Sequence, residues 1–135
     1  VIRLTLDKTD RQKALDDGLQ RDITDISKEA GLFLPVFITK KVLDNWMIYK
    51  GSDTSFSDVE KRLIKVILSK LVYSLRVHRQ TSKSNLIYFN ASIEKDGKNE
   101  TASLLSLLGP IDSNDRRPCI TIMLPEEYPA GSDEA

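Results

Sequence analysis

The stretch "SDVEKRLIKVILSKLVYSLRVHRQ", residues 57–80, decides the fold. Ser57 and Glu60 have the spacing of a capping box, in which a hydroxyl accepts from the amide three residues on and the glutamate reaches back. A helix from there to about Gln80 is some 35 Å long at about 1.5 Å per residue. At about 100° per residue, Val59, Leu63, Val66, Ile67, Leu71, Tyr73 and Val77 form the middle of an apolar arc that Ile64, Leu68 and Leu75 extend. An arc that wide predicts a central, largely buried helix. Lys70 falls at the centre of the arc. Either its stem reaches past the core to water, or that face is an interface, which implies a dimer or a protein partner.

Beyond the helix the sequence reads as antiparallel sheet. In "LIYFNASIEKDGKNETASLLSLL", residues 86–108, the Asp96-Gly97 pair between two strand-like runs is a strong hairpin signal, and Ile87, Phe89, Ala91 and Ile93 point one way. Gly109-Pro110 and the polar run DSNDRR turn the chain again, and Ile120, Ile122 and Leu124 alternate in a last strand. Three strands against one long helix make an α+β layer.

Before the helix come short, punctuated elements. VIRLTL at the start has a strand period. Thr9 with Gln12 forms a capping box and Gly18 ends that helix. LQRDI is extended, Thr24 caps a second helix with Ile26 and Ala30 on one face, and Gly31 stops it. LFLPVFI, with Pro35 inside, reads as an edge strand or an extended segment across the core, because proline cannot donate to a ladder. Thr39 caps a helix in which Val42, Leu43 and Trp46 share a face, and GSDTSFS is a polar loop.

The fold expected is therefore α+β: one long central helix packed on an antiparallel sheet made of a C-terminal hairpin and a final strand, with short capped helices in the N-terminal half. Residues 1–125 form one compact domain. Residues 126–135, EEYPAGSDEA, are acidic and poor in large apolar groups, and read as a mobile tail.

A chain of 135 residues with 40% hydrophobic content suits a single core. Its 20 basic and 20 acidic residues cancel, so no global field draws it to nucleic acid or an anionic membrane. A single cysteine, Cys119, rules out an internal disulfide and fits a reducing compartment. No apolar run approaches membrane-span length and no leader pattern opens the chain, so the cytoplasm is expected. A start at Val1 rather than Met suggests a short preceding piece.

"ALDDGLQRDITDISKEAGLFLPVFIT", Trp46, "KDGK" and "GPIDSNDRRPCITIMLPEE" together resemble a family of small bacterial proteins known only as a domain of unknown function. Its pattern reads A-I-x-D-G-x-L-x-D-V, then A-x-x-A-G-F-x-x-P-V-A-L-T-x-x-V-W, and closes on V-I-T-I-M-L-P. Asp17-Gly18, Asp22, Glu29-Ala30-Gly31, Pro35-Val36, Thr39 and Ile120 to Pro125 occupy the motif positions. The family's tryptophan falls later here, at Trp46, and VIRLTLDK departs from the shorter family lead. The resemblance implies no reaction, cofactor or partner; the association of such proteins with mobile elements implies a cytoplasmic accessory role.

No residue set points to catalysis, a cofactor or a metal. Asp16, Asp17, Asp22 and Asp25 crowd together but lack the alternation of a cation loop, and they read as helix-end and cap residues. His78 stands near a helix C-terminus, where an imidazolium is stabilised without further purpose. Cys119 reads as a buried, inert thiol. There is no glycine-rich phosphate loop and no G-x-S-x-G turn. Trp46 and Phe56 could line a small pocket but read first as core anchors.

Charge is distributed less evenly. Between Lys61 and Ile93 there are Lys61, Arg62, Lys65, Lys70, Arg76, Arg79 and Lys83 and no acid. Lys61, Arg62, Lys65, Arg76 and Arg79 fall within about 100° of the helical wheel, opposite the apolar arc. This ridge reads either as a solvated face balanced by the acidic excess after Glu94 or as a track for a phosphate backbone. The function expected is a non-catalytic accessory protein that binds a protein partner or itself as a homodimer. A nucleic-acid-binding accessory protein is the alternative, and an enzyme built on the aspartates comes third.

Overall fold

The computed structural model describes residues 10–46, 56–81, 85–95 and 97–128, with backbone alone at 78–81 and 95. The opening VIRLTL, Thr9 of the first capping box, most of the GSDTSFS loop and residues 129–135 lie outside the described residues. Among the described residues four helices, α1 (Asp10–Asp16), α2 (Thr24–Glu29), α3 (Lys40–Trp46) and α4 (Asp58–Thr81), accompany five strands: β1 (Gln20–Asp22), β2 (Val36–Thr39), β3 (Leu86–Lys95), β4 (Lys98–Asp112) and β5 (Asp115–Met123).

The α+β class and the long helix packed on the sheet are as the sequence reads. The sheet is larger, with five strands in the order β1-β2-β5-β4-β3. It is mixed, since β2 pairs parallel to β5 while the other neighbours are antiparallel. Val36, Phe37, Ile38 and Thr39 are all buried, as an interior strand covered on both sides requires. The edge reading of the Pro35 segment is thereby corrected. The strand starts only after the proline, whose carbonyl accepts from the Ile120 amide at 3.0 Å, so the missing N–H removes nothing from the ladder.

The β3–β4 hairpin closes at Lys95 opposite Lys98, with Gly97 at φ +78°, a conformation an L side chain resists. Of the turn read across Gly109-Pro110 and DSNDRR, only the second part turns the chain: β4 runs on through Gly109-Pro110, and the reversal comes at Ser113-Asn114 within the polar run. Pro110 faces Pro118 on a two-stranded ribbon, past the last pairings to β3 at Leu107 and to β2 at Ile120. Neither missing amide interrupts a neighbouring strand there.

The sheet has two differently closed faces. Phe89, Ala91, Ile93, Leu104 and Ile122 meet the helical layer, in which Ile26, Leu43 and the buried side of α4 complete the core. Phe37, Cys119, Thr121 and Met123 point the other way, where Arg11 from α1 crosses the first three.

Local caps follow the sequence in part. Ser57 Oγ accepts from the Glu60 amide at 3.1 Å and Glu60 Oε1 from the Ser57 amide at 2.7 Å, completing the box read there. Thr24 is not the cap of α2 but its first residue. Asp22 Oδ1 accepts from the Thr24 amide at 2.9 Å, and the Thr24 hydroxyl accepts from the Val36 amide at 3.2 Å. Thr39 ends β2 and donates to Glu127 Oε2 at 2.6 Å, and Glu127 also accepts from the Leu124 amide at 2.9 Å. Glu126 and Glu127, counted with the tail in the sequence, thus belong to a 3-10 turn, Pro125–Glu127, tied to the sheet.

Candidate functional site

The long helix carries two apolar faces instead of one arc. Ile64, Ile67, Leu68 and Leu71 are fully buried, whereas Val59 is 61% exposed, Val66 40%, Tyr73 63% and Val77 45%. On the helical wheel the exposed set clusters within about 40°, turned about 145° from the buried set. A sheet covers only the stripe of a helix that touches it, so the wide arc could not all be core. The reading of α4 as largely buried is corrected to one buried stripe and one exposed one. Lys70 lies on the exposed stripe, with its ammonium 5.5 Å from the Tyr73 ring centroid, a cation–π contact at the surface.

Between the two stripes runs the basic ridge. Lys61, Arg62, Lys65 and Arg76 are exposed, and Arg79 belongs to α4 with its side chain outside the described residues, as is that of His78. The ridge is not uniform. Lys65 Nζ lies 2.9 Å from Glu29 Oε1, and Lys61 and Lys65 line a hollow of about 260 Å³ with Asp22, Asp25 and Glu29 of the β1–α2 region. Arg62 and Arg76 fall on the opposite flank, beside Val66 and Tyr73. The ridge therefore lies beside the apolar stripe, not opposite all the apolar residues. Glu29, which meets Lys65 from another helix, was not identifiable as a partner from the sequence. No local spacing links the two residues, and only the packing of α2 beside α4 brings them together.

Asp22 holds the start of α2 and Asp16 accepts from Gln12 at 3.0 Å. Among the described residues no three metal-binding side chains gather. Cys119 is buried, and burial pushes its thiol pKa up, away from the thiolate a nucleophile needs. Trp46 and Phe56 pack against the core, and Arg21 stacks 4.4 Å from the Phe56 centroid.

An open cleft of about 660 Å³ beside α1 includes Arg11, Phe37, Asp115 and Arg117 in its lining. Sequence reading passed over Arg11, which is the most connected side chain in the cleft. Its guanidinium donates to Ile111 O at 2.9 Å, Gln20 Oε1 at 2.7 Å, Thr121 Oγ1 at 3.0 Å and Cys119 Sγ at 3.3 Å. Asp115 is held by Arg117 Nη2 at 2.6 Å, and hydrogen bonds from Arg117 lower its carboxyl pKa to about 2. The cleft thus pairs its arginines internally, whereas α4 keeps four large apolar side chains exposed on one side.

Among the described residues no helix is long and apolar enough to cross a membrane. No family model matches the chain, and neither a curated protein nor a solved structure is found similar to it, so the motif resemblance stands on its residues alone.

Proposed function

We propose that this chain is a non-catalytic accessory protein of the bacterial cytoplasm that works by protein–protein contact through the exposed stripe of α4, with another protein or a second copy. One observation carries the reading: Val59, Val66, Tyr73 and Val77, four large apolar side chains, stand exposed on one side of one helix. Scattered apolar residues on a surface need no explanation, but a contiguous row marks a contact surface. The motif resemblance supports the accessory setting.

A photo-reactive residue placed at Val66, with Ser103 on the sheet as control, tests this in the source cells. Adducts to a discrete protein, or to a second copy, from position 66 and not from 103 are expected. Identical adducts from both positions, or none from 66, would remove the reading.

Nucleic-acid binding is the second reading, and exposed Lys61, Arg62 and Arg76 favour it. The Lys65–Glu29 pair and the acids beside Lys61 weigh against it, because a carboxylate among the cations repels phosphate. Anisotropy of labelled duplex DNA and RNA at two salt concentrations separates the readings, since phosphate contact must weaken with salt.

A further inference from the structure

Val59, Leu63, Val66, Lys70, Tyr73 and Val77 follow one another at intervals of four, three, four, three and four residues. That alternation keeps side chains on one seam against a second helix. Among the described residues the fold engages only Leu63 of the seam, which packs against the core. Five of its six residues are exposed and Leu63 is half-buried, while Ile64, Ile67, Leu68 and Leu71 face the core. In heptad terms Val59, Val66 and Tyr73 occupy one of the two seam positions and Leu63, Lys70 and Val77 the other.

Charge decides the occupant. One flank of the seam carries Arg62, Ser69 and Arg76; the other carries Glu60, Ile67 and Ser74, with Ile67 buried. The central layer of the seam holds Lys70. A second copy laid antiparallel brings Arg62 beside Arg76 of that copy, and one laid parallel sets Lys70 against Lys70. Either way like charges meet where water is being excluded, which disfavours self-pairing. A helix with carboxylates along the flank that meets Arg62 and Arg76, and one carboxylate facing Lys70, turns each repulsion into attraction. A charged residue at a single seam position is a known means of choosing partner and register.

We infer that α4 accepts an acidic amphipathic helix from another protein, forming a two-helix seam over residues 59–77 in which Lys70 selects the partner. This rests on the reading of α4 as the contact surface and narrows it to one partner class.

The test uses the full chain and two labelled synthetic helices of about four heptads with leucine and isoleucine on the seam. One has glutamates on both flanks and a glutamate in the central seam layer; the other has lysines in those places. Anisotropy is expected to show the acidic helix binding at least about tenfold more tightly, and Lys70→Glu to shrink or reverse that preference. Val66→Asp, at an exposed position and checked for folding by circular dichroism, is expected to abolish binding of both helices.

Equal binding of the two helices, binding of neither, or a preference untouched by Lys70→Glu overturns the acidic-helix inference. If Val66→Asp also leaves binding intact, the α4 reading itself fails. A wild-type chain that sediments as a dimer, and that Val66→Asp makes monomeric, assigns the seam to a second copy and overturns the inference while keeping the α4 reading. Duplex DNA that binds in place of the acidic helix and is lost in Arg62→Glu/Arg76→Glu overturns both.

Discussion

On the side of the sheet that carries α4, Ile64, Ile67, Leu68 and Leu71 are sealed in one core with Phe89, Ala91 and Ile93; on the other side Phe37, Cys119 and Thr121 lie beneath a single guanidinium, that of Arg11. The first closure is non-directional and shared among many side chains, each contributing in proportion to the apolar area it removes from water. The second is directional and concentrated, with four hydrogen bonds from one side chain aimed at fixed acceptors. Loss of one core side chain leaves the others in place. Loss of Arg11 leaves several polar groups to find new partners together.

The largest effect is expected from Leu71→Ala, which opens a cavity on the helical side and should cost about 2–5 kcal/mol in urea unfolding. A loss below about 1 kcal/mol would mean that the helical side collapses around the gap and is not tightly packed.

Arg11→Ala should cost about 1.5–3 kcal/mol, the range for hydrogen bonds to a charged group. Arg11→Lys should recover little, because an ammonium cannot reproduce the planar fork. The same variant sharpens the comparison through chemistry. Burial holds the Cys119 thiol protonated, so a thiol reagent should react slowly with the folded wild type. Removing the side chain that covers the thiol should speed its reaction in folded Arg11→Ala, even though the lost Arg11 charge had favoured the thiolate, whereas folded Leu71→Ala should keep the wild-type rate.

Ser57→Ala removes one half of the box at the start of α4 and is expected to cost about 1 kcal/mol. Smallest of all is the exposed pair on the β4–β5 ribbon. Arg117→Ala should bring the Asp115 carboxyl from about 2 back toward 3.8 in an NMR titration. The sign follows from the depressed pKa: any stabilisation by this pair is present above pH 3.8 and disappears as the pH falls through about 2. Because the pair is exposed and screened, stability near neutrality should hardly change.

What was legible in the sequence divides along the same line. The long helix, its Ser57–Glu60 box, the Asp96-Gly97 hairpin and the buried row Phe89, Ala91, Ile93 are all written in local spacing. The parallel pairing of β2 to β5 is not, for nothing near Val36 specifies Ile120 as its neighbour. Arg11 was overlooked for a similar reason. Four of its side-chain acceptors come from Gln20, Ile111, Cys119 and Thr121, and three of those lie about a hundred positions away. At the candidate site, periodicity found the apolar residues of α4 and singled out Lys70, but a helical wheel cannot say which apolar face the sheet will take. The division into Ile64, Ile67, Leu68 and Leu71 on one side and Val59, Val66, Tyr73 and Val77 on the other needed the packed layers.

The parallel join of positions 36–38 to 120–122 also sets a clock on synthesis. At roughly 5–20 residues per second, a ribosome needs roughly 4–17 s to travel from the first of these segments to the second. The β3–β4 hairpin, whose contacts are local, can form within about 10 μs of emerging. Val36 to Thr39 must meanwhile wait with four side chains destined for burial and no strand to receive them on the β5 side. The nascent chain is therefore open to chaperone capture or mispairing at the segment that ends between β1 and β5 in the finished sheet.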